Sequence, residues 1–217
     1  MKPIITVIIS ALLLSGCFYS SFDTYMRKGK DALINANYNE AIKNLDNALI
    51  EEPTNKDAIA LMKKAKEKKE KSENKKVIDD FTKDTEEMYK KLKSLGDGIN
   101  TMVDNVTYEE ALSKVEILKP MNEKLVELNP KWQDDKVVGE AFSNLVSAYH
   151  NLNFTYRLVI ESTEQPEPEI TTTGNGEVSE FEAVRNRKIQ PSLAFVDFRQ
   201  NMESYKNTIN KLKDNNQ

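Results

Sequence analysis

The chain of 217 residues has one cysteine (Cys17), one histidine (His150) and one tryptophan (Trp132). A lone cysteine excludes an intrachain disulfide and any site built from several thiolates. A lone histidine excludes a histidine cluster. The carboxylate–histidine metal site of helical bundles wants a glutamate three residues before the histidine, and that position is Ser147. The seven glycines form no phosphate-cradling loop, and neither an HExxH pair nor a serine elbow is present. No catalytic residue, metal ligand or cofactor site is therefore assigned, and the chain is expected not to be an enzyme. A net charge of −4 gives no overall indication of a nucleic-acid partner or of attraction to an anionic surface.

Long hydrophobic runs are missing as well. The one sustained apolar stretch, Ile4 to Leu14, has eleven residues, well short of the ~20 that span a bilayer. It follows a single cation, Lys2, and leads into Leu14-Ser15-Gly16-Cys17. A basic start, a short apolar core and small residues before a cut site are the layout of a signal peptide. With a cysteine closing it, the segment resembles the lipobox of bacterial lipoprotein precursors. That resemblance implies removal of residues 1–16 and a diacylglycerol thioether on Cys17, with acyl lipid as the only non-protein group. It also implies an outward-facing, lipid-anchored location at the bacterial cell membrane. In a host with two membranes this would be the outer one, because Phe18 rather than an aspartate follows the cysteine. Two or more acyl chains hold a protein stably at a membrane where a single chain does not.

What the sequence does have in abundance is helical periodicity. Apolar residues recur in steps of three and four at Ile78, Phe81, Met88, Leu92, Leu95, Ile99, Met102 and Val106, with Thr85 as the one interruption. A second series is Val138, Phe142, Leu145, Tyr149, Leu152, Tyr156 and Val159, and a third is Phe195, Phe198, Met202, Tyr205, Ile209 and Leu212. Such steps lay one stripe along a helix, and no strand produces them. They predict an all-α fold with antiparallel bundle packing. Helices are expected over 75–103 and 132–160, each ~43 Å long at 1.5 Å per residue, with Trp132 stapling the start of the second. Between them a shorter helix over 107–129 is expected to bend at Pro120 and to be capped by Thr107 with Glu110.

Residues 22–55 resemble one tetratricopeptide repeat, through Gly29, Tyr38, Ala41, Leu45, Ala48, Leu49 and Pro53 at that family's spacing. The resemblance implies two short helices meeting at Asn35-Ala36-Asn37, close packing at Gly29, Ala41 and Ala48, and a protein-binding role. Lys28 and Ala32 depart from the pattern, where a large apolar residue and an aromatic are preferred. Ala58, Leu61, Met62 and Ala65 supply the stripe of a capping helix, which a single repeat needs. Tyr108 to Pro130 is a weaker echo of a repeat's second helix.

The run from Lys56 to Lys93 mixes many lysines with acids and reads as a solvated helix face, contact with a partner or lipid headgroups being the alternative. Within it, Lys63 to Lys76 has no breaker and no apolar face. It is expected to join the capping helix to the first bundle helix as one rod, supported by pairs such as Glu67 with Lys71. The acidic Pro/Thr/Gly-rich stretch that follows Glu161 reads as an exposed loop.

The resulting organisation is 1–16 signal peptide, 17–21 anchor and tether, 22–72 repeat-like hairpin with capping helix, 73–162 bundle, 163–177 loop and 178–217 a C-terminal helix broken or bent at Pro191. The functional expectation is a non-enzymatic, lipid-anchored envelope protein that binds membrane lipid through Cys17 and an unidentified protein partner, acting as a scaffold. The alternative is a solute- or metal-binding envelope lipoprotein.

Overall fold

A computed structural model describes residues 20–164 and 189–216. The signal-peptide, lipobox and Cys17 expectations, most of the tether, the acidic loop and the start of the C-terminal segment lie outside the described residues. Among those described, six helices and no strand make the protein all-α: α1 (Ser21–Ile34), α2 (Tyr38–Glu51), α3 (Lys56–Gly96), α4 (Tyr108–Trp132), α5 (Gly139–Glu164) and α6 (Gln190–Asn215). The chain divides into two compact units, Met1–Glu73 and Asn74–Gln217, and α3 is one continuous 41-residue helix contributing to both.

In the first unit α1 and α2 form a helical hairpin. Ser20 caps α1 by accepting the Asp23 amide at 3.1 Å, satisfying one of the orphan donors at a helix start. The turn at Asn35-Ala36-Asn37 places Ala36 at φ 56°, and Asn37 then caps α2. Gly29 has a specific reason to be glycine: a Cβ there would lie 2.8 Å from Leu45 Cγ. The two helices therefore cross where one has no side chain. α2 ends at Glu51, with Glu52 as its cap, just before Pro53, whose ring disfavours helical geometry in the residue ahead of it. Ala58, Met62 and Ala65 of α3 complete a small core with Met26, Ala32, Ala41, Leu45 and Ala48.

The second unit is a helical bundle of the later part of α3 with α4, α5 and α6. Buried members of the three predicted stripes make its core: Phe81 and Leu92 on α3, Phe142, Leu145, Leu152 and Tyr156 on α5, Phe195 and Tyr205 on α6. Thr85, which interrupts the first stripe, is itself fully buried. Its hydroxyl donates to the Phe81 carbonyl at 2.8 Å and so accepts from the Tyr205 hydroxyl, also at 2.8 Å. A buried polar side chain is tolerated there because both partners are within reach.

Three expectations need correction, and another is described only in part. First, the helix predicted to reach Val103 ends at Gly96. Gly98 has φ +85° and Val103 φ 56°, and Asn105 ties the connection, its amide donating to the Gly98 carbonyl at 2.7 Å. Past Gly96 the helical phase no longer applies: Met102 is 54% exposed and Val103 is buried instead. Second, Trp132 does not open the next helix. It ends α4, because Leu118, Met121, Leu125, Leu128 and Trp132 form a stripe of their own that continues through Pro120 and Pro130. α5 starts only at Gly139, after Asp135 has accepted the Val137 and Val138 amides at 2.8 and 3.0 Å. Third, α6 starts at Gln190 with Pro191 in its first turn, where its missing amide costs nothing; the helix expected before Ile189 lies outside the described residues. Fourth, Glu67 pairs with Lys63 at 3.8 Å and not with Lys71. The Thr107 cap stands as expected, accepting the Glu110 amide at 3.2 Å.

Replacing Thr85 with valine leaves the buried Tyr205 hydroxyl without its partner and should destabilise the protein by about 1–3 kcal/mol. The double variant Thr85→Val/Tyr205→Phe should recover part of that loss. Urea denaturation of the two single variants and the double variant measures the coupling.

Candidate functional site

Residues carrying the repeat resemblance come together in the first unit. Ala41, Leu45 and Ala48 are completely buried, Gly29 lies against Leu45, Tyr38 opens α2 half-buried, and Pro53 is exposed. Gly29, Ala41, Leu45 and Ala48 form a packing seam built from apolar residues. Ala32 is buried and Lys28 exposed, so neither provides the large contact that the repeat pattern would place there.

An open groove of about 430 Å³ runs along the same unit between α1 and α3. It is lined by Lys30, Leu33 and Ile34 from α1 and by Leu61, Lys64 and Lys68 from α3. Residues spaced by three and four share a helix face: Leu61, Lys64 and Lys68 form such a series, and Leu33 and Ile34 lie three and four residues from Lys30. Among the described residues none of the three lysines makes an ion pair, the nearby pairs being Lys63–Glu67 and Lys69–Glu73. No carboxylate lines the groove. Ile34 is 81% exposed. The arrangement presents uncompensated positive charge beside exposed aliphatic surface.

Sequence reasoning missed this groove. It placed Leu61 in the capping stripe with Ala58, Met62 and Ala65, but those three are buried while Leu61 is only half-buried. The signal was the 61–64–68 spacing inside a lysine-rich run read as solvated.

The second unit has a groove of about 470 Å³ between the end of α3 and α6, with Phe195, Phe198 and Met202 on its apolar side. Gly96 lets it form, since a Cβ there would sit 2.3 Å from the Phe198 ring. Its rim mixes Lys93, paired with Asp97 at 3.3 Å, with Arg199, Glu203 and Lys206. Neither sign of charge dominates.

Groups with shifted proton affinity in the second unit are held in structural contacts. Asp84 on α3 accepts from Lys131 at 2.7 Å and from the Trp132 indole at 3.1 Å. The Lys131 hydrogen bond is the main cause holding its carboxyl below the usual range, with partial burial opposing it and the indole assisting. Lys131 also stands 4.3 Å from the Trp132 ring centroid, a cation–π contact. Burial raises Tyr156 and Tyr205 above the ordinary phenol value, and Tyr156 donates to the Leu95 carbonyl at 2.5 Å. His150 is exposed on α5, with its ring edge-on to Tyr149.

Among the described residues no group of three or more histidine, cysteine or carboxylate side chains is placed to hold a metal. None of the described helices is long and apolar enough to cross a membrane. No protein-family model matches the chain, and no curated protein or solved structure matches it.

Asp84 supports a prediction with a definite sign. Its folded pKa lies below the unfolded value of ~3.9. Its contribution is therefore present above about pH 4 and is lost as pH falls through the lower folded value. The pair is partly solvated, so the contribution should be ~0.5–1 kcal/mol. Asp84→Asn should lower stability at pH 7 by that amount and narrow its gap to the parent protein below pH 3, as measured by denaturant titration at both pH values.

Proposed function

We propose that the protein is a non-enzymatic lipoprotein of the bacterial cell envelope, anchored through Cys17 and acting as a protein-interaction or scaffold module. The observation that carries this proposal is the lipobox-like run Leu14-Ser15-Gly16-Cys17, placed directly after an apolar segment of signal-peptide length. The thiol is the one group at that position able to take the lipid as a thioether. The interaction role is supported by the resemblance of residues 22–55 to a tetratricopeptide repeat, a protein-binding unit. The α1–α2 hairpin is compatible with it, since its small residues fall where the helices cross. The non-enzymatic part rests on the sequence, which has none of the motifs for nucleophilic, metal-assisted or phosphate chemistry considered above. The anchor is the sole covalent chemistry in this proposal, and an outward-facing membrane location follows from it.

The test is metabolic labelling of the full chain with a fatty-acid probe. The parent protein should incorporate label and partition with membranes, and Cys17→Ser should lose the label completely. Purification of the lipidated protein from cross-linked membranes should recover a stoichiometric protein partner. A large thermal shift with a metal ion or a small solute would favour the solute-binding alternative instead.

A further inference from the structure

We propose that the groove between α1 and α3 is a membrane-contact surface, through which Lys30, Lys64 and Lys68 engage the anionic headgroups of the bilayer that holds the anchor. This rests on the lipid-anchor proposal above and adds an orientation to it.

Three observations point to an anionic surface. The lysines are unpaired and no carboxylate lines the groove, so no group within it competes with an external counter-charge. Exposed Ile34, with Leu33 and Leu61, lies among them, giving the mix of cations and aliphatic groups that binds a headgroup–acyl boundary. Finally, Cys17 precedes Ser21 by four residues, a reach of ~14 Å at most. A lipid on Cys17 therefore holds the start of α1 close to the bilayer, and the groove residues Lys30 to Ile34, ~14–20 Å farther along α1, meet the same surface when α1 lies along it.

The composition of the groove separates a lipid surface from an acidic polypeptide. Its polar side chains are all lysines, which are hydrated point charges without the planar fork that fixes a carboxylate in one geometry. No amide, hydroxyl or guanidinium lines it to register a peptide backbone. Point charges around an aliphatic centre suit a diffuse field of headgroups, where each lysine near an anionic surface adds about fivefold to the binding constant. The chain's net charge of −4 does not oppose this, because at physiological salt charges farther than ~8 Å are largely screened.

The test uses the chain from Phe18 to Gln217, which contains every described residue and lacks the anchor. Its retention is measured on vesicles of phosphatidylcholine with and without 30 mol% phosphatidylglycerol. The parent should bind the anionic vesicles, release as salt rises, and ignore the neutral ones. Lys30→Glu/Lys64→Glu/Lys68→Glu should weaken binding by at least ~100-fold, the loss of three lysines at about fivefold each, with an unchanged helical circular dichroism spectrum. The charge-matched variant Lys28→Glu/Lys43→Glu/Lys66→Glu, altered outside the groove, should lose far less. Equal losses in the two variants, binding independent of phosphatidylglycerol, or no binding would each overturn the proposal. Capture of a free polyglutamate peptide without vesicle binding would overturn it in favour of an acidic protein partner. Fatty-acid labelling at Cys17 is scored separately, so a failed anchor and a failed contact surface give different results.

Discussion

All four helices of the second unit meet on one aromatic ring. Phe81 of α3 is fully buried, with ring centroids 5.4 Å from Trp132 on α4, 6.4 Å from Phe142 on α5 and 6.2 Å from Tyr205 on α6. Two of the three contacts are edge-on, an arrangement favoured by the ring quadrupoles. Apolar burial supplies most of the stabilisation of such a cluster, and it is non-directional. Directional bonds surround it: one turn along α3, Thr85 takes the Tyr205 hydroxyl and Asp84 takes the Trp132 indole and Lys131. Those bonds fix which faces of α4 and α6 turn toward the ring.

The first unit is built on a different constraint. Its core consists largely of alanines, with one leucine and two methionines, and cohesion comes from short distance more than from large side chains. Gly29 sets that distance by leaving room for Leu45. A small core leaves much aliphatic surface at its margin, and Leu33, Ile34 and Leu61 are part of it. Exposed apolar side chains gathered beside unpaired lysines suggest contact with something beyond the chain. The proposed lipid surface gives those residues a counterpart of matching charge and polarity.

The two grooves differ in the way that matters for recognition. In the second unit charges of both signs share the rim, where Lys93 pairs with Asp97. In the first unit Glu67 and Glu73 of α3 pair with Lys63 and Lys69, and no carboxylate pairs with Lys64 or Lys68 or lines their groove.

Helical periodicity alone was enough to predict the all-α class and the three long stripes, because burial of one helix face imposes steps of three and four on the sequence. The seam of Gly29, Ala41, Leu45 and Ala48 was indicated by the resemblance to a tetratricopeptide repeat, and the Thr107 cap by Glu110 three residues on; both depend on residues close in the chain. Helix ends at Gly96 and Trp132 were not legible in the same way. The apolar spacing runs on past Gly96, where Gly98 and the Asn105 tie turn the chain, and a proline two residues before Trp132 imitates a boundary. Thr85 looked like a flaw in a stripe until α6 brought Tyr205 to it, 120 residues away in the chain. The lysine groove likewise joins α1 to α3, and no single helix contains it. Local spacing determines which face of each helix is apolar, whereas the meeting of faces from distant segments decides which polar group can be buried and which charges remain unpaired.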